Sequence, residues 1–277
     1  MKAKLFDYVQ KDNVVYNLSG VTKLIAFLCL TFSVMFSYDI RFIIAVMVMS
    51  FVILHISEIK YSQIRLMLIY TVIFLVLNFI LTFLFNPTYG TEIYGTRHEL
   101  FAITKRYTVT SEQLLYQTTK LFKYGSVIPL GMIFLLTTNP SEFASGINRI
   151  GVPFKAAYAL ALTLRYFPDV IRDYNNISVA QQARGLDMSA KEKTSVRVKN
   201  IMSIVVPLIF STMDRIDVIS NAMDLRGFGK KKLRTWYTAK KLDRSDRLVI
   251  AGSILVLACS LGLSTFVNHS RFWNPFI

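Results

Sequence analysis

Leu66 to Phe85 reads LMLIYTVIFLVLNFILTFLF, twenty residues without a charge. At about 1.5 Å of rise per residue, a helix of that length covers the roughly 30 Å hydrocarbon core of a bilayer. A second such run, Leu248 to Val267, reads LVIAGSILVLACSLGLSTFV. Two shorter apolar runs come earlier, Leu24 to Ser37 and Phe42 to Ile56. They flank the polar turn Tyr38-Asp39-Ile40-Arg41 and read as a transmembrane hairpin whose ends are extended by snorkelling Lys23 and Arg41. A further candidate runs from Gln113 to Thr138 and carries Lys120 and Lys123. Charge inside a span is costly, so these lysines either snorkel to the outer interface or serve a buried role. The chain is 53% hydrophobic yet 18% charged over 277 residues, which fits a membrane protein with a sizeable water-facing part.

The placement of charge sets the expected topology. Asn139 to Arg247 holds nineteen of the thirty-two Lys and Arg residues against ten Asp and Glu, and contains no span-length uncharged run. Basic segments stay on the cytoplasmic side. With the N-terminus (Lys2, Lys4, Lys11) also inside, an even number of spans must precede Asn139, and four candidates do. The expected fold is an all-α, polytopic membrane protein with about five transmembrane helices. Residues 1–138 form the N-terminal membrane domain, 139–247 a cytoplasmic module of long helices, and 248–277 the last span and tail. The expected location is the plasma membrane. The outer loop 86–112 is polar, and its pieces around His98 to Thr104 and Tyr107 to Thr110, joined through Lys105-Arg106, suggest a small hairpin. The first apolar run starts too late, and without a convincing cleavage site, for a removable signal peptide.

Several chemistries find no footing in the sequence. Cys29 and Cys259 sit singly in apolar runs and read as packing residues. His55, His98 and His269 are scattered, so no resident metal or cofactor is expected. There is no Gly-x-x-x-x-Gly-Lys-Ser/Thr loop to cradle phosphates; Gly227-Phe228-Gly229-Lys230 lacks both spacing and context. Two rival readings compete. A membrane enzyme would use Asp169, Asp173, Asp214 and Asp217 at the cytoplasmic face, but their spacing fits charged helix faces better. A nucleic-acid binder would use Lys230, Lys231, Lys232 and Arg234 with Trp236 and Tyr237, but a juxtamembrane basic cluster more often meets anionic lipid. No nucleic-acid partner is expected.

The 139–247 region reads as three helices. Thr138-Asn139-Pro140-Ser141-Glu142 has a cap, a first-turn proline and a first-turn acid, and Gly151-Val152-Pro153 stops that helix. A second helix runs from Pro153 to Arg184, with Val170, Tyr174 and Ile177 at helical spacing. A third runs from Ala190 to Arg226, with Ile209, Met213, Ile216, Ile219 and Met223 on one stripe and Pro207 expected to kink it.

The two long helices finish alike: Ala180-Gln181-Gln182-Ala183-Arg184-Gly185-Leu186 and Ala222-Met223-Asp224-Leu225-Arg226-Gly227-Phe228. One Arg-Gly ending is simply a good helix stop, since glycine can cap in the left-handed conformation and arginine complements the dipole. Two matched endings suit docking onto a partner with two equivalent grooves. With Leu164-Arg165-Tyr166-Phe167-Pro168 and the Thr138 to Glu142 motif, they make the chain resemble the T component of energy-coupling-factor (ECF) transporters, the cobalt-transport-permease-like family, from about Leu24 to Val267. Ala183-Arg184-Gly185 matches that family's Ala-Arg-Gly motif, while Leu225 replaces the usual alanine before Arg226-Gly227. The resemblance implies a non-enzymatic coupling subunit. Two cytoplasmic ABC ATPases would each hold one tip, through Ala183, Arg184 and Gly185 or Leu225, Arg226 and Gly227. The apolar faces around Tyr174, Ile177, Ile209, Met213 and Ile216 would pass ATP-driven motion to a small integral membrane subunit that binds a vitamin or transition-metal ion.

Overall fold

The computed structural model of the chain describes residues 12–102, 107–186, 194–230, 235–236, 240, 242–268 and 272–276. Lys2, Lys4, Lys11, Thr104, Lys105, Arg106, the Ala190 start of the third long helix, Lys231, Lys232, Arg234, Tyr237 and His269 lie outside the described residues. In chain order the elements are α1 (Val14–Asn17), α2 (Gly20–Phe36), α3 (Ile40–Ile56), α4 (Tyr61–Phe85), α5 (Tyr89–Tyr94), β1 (Glu99–Ala102), β2 (Thr108–Thr110), α6 (Ser111–Thr137), α7 (Pro140–Arg149), α8 (Phe154–Ala183), α9 (Thr194–Leu225) and α10 (Arg244–Gly262). A π-helical turn, Leu263–Val267, continues α10. The protein is an all-α membrane protein. Ile64–Phe85, Ser111–Thr137 and Arg244–Val267 are each long and apolar enough to cross a bilayer. α2 and α3, at 17 residues each, stand at the short end of spanning length. The chain divides into two compact units, one of residues 1–139 and 240–277, the other of residues 140–239.

In the first unit α2 and α10 run parallel in a fixed register. The Ser19 amide donates to Asp246 at 2.9 Å, and the Ser260 hydroxyl donates to the Ser33 carbonyl at 2.7 Å. Serines are small enough to bring the backbones close, and their hydroxyls find carbonyls in a medium without water. α6 runs antiparallel to α2, and Leu30, Val34, Val46 and Leu130 form the apolar core where α2, α3 and α6 meet. The α2–α3 turn is shorter than the sequence suggests: α3 begins at Ile40, capped by Asp39, whose carboxylate accepts from the Arg41 amide at 3.0 Å.

At this hairpin Lys23 is buried rather than snorkelling, while the Arg41 side chain stays half exposed. Lys23 is 6% exposed and donates to the carbonyls of Thr137 at 2.7 Å and Tyr16 at 3.2 Å. Lys123 is 3% exposed, donates to the Met35 carbonyl at 2.7 Å, and lies 3.4 Å from the centre of the Tyr38 ring. Each lysine therefore satisfies the last carbonyls of the other's helix, where the negative end of the dipole favours a cation. Arg41 folds back on Asp39 and stacks over Trp273. Asp39 is 1% exposed and also accepts from Asn268, past the end of α10. Burial opposes its charge, but the hydrogen bonds from Arg41 and Asn268 outweigh it and hold the carboxyl below the usual range. A carboxyl depressed on folding stabilises above its unfolded pKa, so this contribution is lost as the pH falls through the folded value.

The segment after α4 packs onto the start of α6. β1 and β2 pair antiparallel, as the sequence suggests. The His98 amide and ring nitrogen and the Thr96 hydroxyl converge on the fully buried Glu112. In α5 the Gly90 amide donates to the Gln113 side chain at 2.7 Å. A Cβ at Gly90 would lie 2.6 Å from the Gln113 backbone. Gly90→Ala is therefore expected to destabilise the detergent-purified chain by about 1–3 kcal/mol, read as a lowered Tm.

Candidate functional site

The second unit is built on two long helices. Pro140 and Glu142 stand in the first turn of α7, and Gly151, at φ 117°, closes it. α8 begins and ends, and α9 ends, close to the residues that the sequence marks, and both remain continuous through Pro168 and Pro207. They pair antiparallel. Tyr158 meets Phe228 with ring centroids 4.9 Å apart, Asp173 pairs with Arg215, and the Gln181 amide donates to the Ser203 carbonyl at 3.2 Å. Ile204 is fully buried. Beside the start of α8, Phe154, Tyr158, Phe228 and Trp236 form an aromatic cluster, and the Trp236 indole donates to Asn148 at 3.0 Å.

The two tips have the same backbone construction. At the end of α8 the Gly185 amide donates to the Gln182 carbonyl at 2.9 Å and the Leu186 amide to Gln181 at 3.1 Å. At the end of α9 the Gly227 amide donates to Asp224 at 2.9 Å and the Phe228 amide to Met223 at 2.9 Å. Gly185 and Gly227 have φ of 88° and 70°, the left-handed cap conformation. α7 closes with the same hydrogen-bond pattern, so the cap alone does not set the tips apart. What does is the arginine at the cap position of both. Ala183, Arg184, Gly185, Leu225 and Arg226 are exposed, Leu225 at 90%, while Gly227 is half-buried. Because the helices run antiparallel, Arg184 and Arg226 stand at opposite ends of the pair. Their levels on α8 differ by some two dozen residues, on the order of 35 Å.

The apolar stripe on α9 is turned outward. Ile209, Met213 and Ile216 are 51%, 55% and 57% exposed, so packing against α8 does not account for them. Two further exposed residues, Met202 and Val206, extend the stripe by two turns. Their i, i+4, i+7 spacing to Ile209 was present in the sequence but outside the stretch read as a stripe. On α8, Tyr174 is exposed and lies on one face with exposed Phe167 and Ile171, whereas Ile177 is half-buried. Of the four aspartates that an enzyme reading would need, Asp169 pairs with Arg172 and Asp173 with Arg215, so these two carboxylates are engaged with arginines along the helices.

The sequence pattern of the CbiQ cobalt transport protein family matches residues 11–237. The energy-coupling factor transporter transmembrane protein EcfT of Bacillus selenitireducens is 30% identical over 260 residues, 91% of this chain and 93% of its own length. The protein of the same name from Streptococcus equi subsp. equi is 23% identical over 95% of this chain and 96% of its own. The Bacillus subtilis protein of that name aligns over about half of each chain, at 30% identity. The chain belongs to the CbiQ family and is similar to these transmembrane components of energy-coupling factor transporters.

A side chain at either capping glycine would meet open space or ordinary contact, so strain from the left-handed backbone is the main cost of adding one. Gly185→Ala and Gly227→Ala are each expected to cost about 1–2 kcal/mol locally. Amide hydrogen exchange of the last helical turn should quicken by about fivefold to thirtyfold, with asparagine tolerated better than alanine at both positions.

Proposed function

We propose that the chain is the transmembrane energy-coupling subunit of an ECF-type ABC importer in the plasma membrane. The observation that carries this reading is the pair of alike, exposed Arg-Gly tips at opposite ends of one antiparallel helix pair. Two cytoplasmic ABC ATPases would each hold one tip, one gripping Ala183, Arg184 and Gly185, the other Leu225, Arg226 and Gly227. Arginine suits such a contact because its planar fork makes paired hydrogen bonds to carboxylates or carbonyls. A rigid pair of helices about 45 Å long converts closure of the ATPases into rotation or displacement of the pair. The outward faces of α8 and α9, with Tyr174, Ile177, Ile209, Met213 and Ile216, would transmit that displacement to a small integral membrane subunit. That subunit would bind a vitamin or a transition-metal ion and release it inward. ATP hydrolysis belongs to the partners, since the chain carries no phosphate-cradling loop.

The basic excess of residues 139–247 supports a cytoplasmic location for that segment and for the N-terminus, with the 86–112 loop outside. Residues 1–138 and 248–277 would then form the membrane platform.

The arginine reading is tested on the assembled complex. Arg184→Ala with Arg226→Ala is expected to reduce co-purification of the ATPase subunits at least tenfold, each single change giving an intermediate loss. The exposure of both side chains means that the Tm of the isolated subunit should stay close to that of the unmodified chain. Full retention of the ATPases by the double variant would refute the reading. Topology is tested with Val218→Cys, 69% exposed in the unmodified chain, on a background with Cys29 and Cys259 replaced by alanine. An impermeant maleimide should label it only after the membrane is opened; labelling in intact cells would reverse the assigned sidedness.

A further inference from the structure

The hairpin of β1 and β2 stands beside the last turn of α4. Tyr107, just before β2, donates its hydroxyl to the Leu84 carbonyl at 3.4 Å, and its ring lies 6.2 Å from that of Phe83, centroid to centroid. The span Ile64–Phe85 has 22 residues, or about 33 Å of rise, close to the roughly 30 Å of hydrocarbon that a span must cross. Leu84 and Phe85 therefore reach the edge of the acyl chains, and the hairpin begins at that depth.

Successive strand residues face opposite ways. Thr108 and Thr110 turn inward and are buried. Val109 turns the other way, on the same side as Tyr107, and both are half-buried. Phe101 pairs directly with Val109, so it shares that side, and it is 67% exposed. The register slips between Glu99 and Phe101, and Leu100, at the slip, is 62% exposed. The exposed ion pair of Arg97 and Glu99 stands at the opposite end of β1 from the strand pair nearest Tyr107. Through Tyr107, this apolar side continues the surface of Leu84 and Phe85, which are 50% and 70% exposed on a span whose most apolar stretch has no buried residue. Bare apolar surface beside the end of a span is covered by lipid, and aromatic rings concentrate at the boundary between membrane and water.

We infer that the hairpin is an interfacial anchor, with Phe101 and Leu100 seated in the upper acyl region of the leaflet in which α4 ends. The Arg97–Glu99 pair lies among the headgroups of the same leaflet. Part of a segment whose composition reads as a polar loop in water is thus held in the membrane surface. The inference uses neither the helix tips nor the assigned sidedness, so it stands or falls apart from the ATPase reading.

The test is a nitroxide label on Phe101→Cys in the full-length chain, with Cys29 and Cys259 replaced by alanine, in mixed phosphatidylcholine–phosphatidylglycerol vesicles. Collision with oxygen, which favours lipid, and with a water-soluble nickel chelate gives the depth of the label. At Phe101→Cys it is expected about 5–10 Å beneath the phosphates. The label on Ile80→Cys should lie deeper, and that on Arg97→Cys at the phosphates or above them. A phosphatidylcholine with a photoreactive group high on its acyl chain should crosslink the unmodified chain within residues 99–102 and 107–110, an arm that needs no substitution to fold. Free access of the nickel chelate to position 101, as at Arg97→Cys, or crosslinks confined to other segments, would overturn the inference. So would loss of access to both oxygen and nickel in the complex with co-purifying subunits, which would give the face to a protein partner.

Discussion

Hydrocarbon offers no hydrogen bonds, so the ends of each spanning helix must be satisfied from within the chain. The membrane unit meets this constraint by exchange. Lys23, near the start of α2, supplies the terminal carbonyl of α6, and Lys123, within α6, supplies the terminal carbonyls of α2. Each ammonium sits at the negative end of the neighbouring helix dipole. The exchange requires the two helices to be antiparallel and fixes their relative height. Other ties follow from that height: Ser126 reaches the Ile43 carbonyl, and the stacked Phe27 and Phe134 rings meet across the same pair.

The last span closes the unit by joining residues more than two hundred positions apart. Asp246 receives the Ser19 amide at one end of α10, and Asn268 reaches Asp39 near the other. The cap of α10 is therefore also a clasp on α2. The capping box formed by Asp243 and Asp246 starts the helix at Arg244, four residues ahead of the apolar run that marks it in the sequence.

Patterns that depend on nearest neighbours along the chain were legible in the sequence. The charge-free Leu66 to Phe85 run, the glycine stops at Gly151, Gly185 and Gly227, and the paired Arg-Gly endings each carry their information locally. The roles of Lys23 and Lys123 did not, because a lysine that snorkels and one that caps a distant helix look alike until its neighbour is known. The outward turn of Ile209, Met213 and Ile216 was hidden for a similar reason: an apolar stripe shows that a helix has a greasy face, and only the position of α8 shows that this face is left uncovered. Gln117 gave no signal, since what marks it is a buried amide that meets no hydrogen-bond partner among the described residues.

An antiparallel pair of helices of 30 and 32 residues, both ending in the same cap, has an approximate dyad through its midpoint. The sequence breaks that symmetry at four of the seven matched positions of the two endings, among them the one held by Ala183 at one tip and by Leu225, 90% exposed, at the other. Reversing the pair end for end would thus place an isobutyl group where a methyl had been. Any dimeric machine seated across the two ends would meet unequal shapes, so even two identical halves would sit in different surroundings.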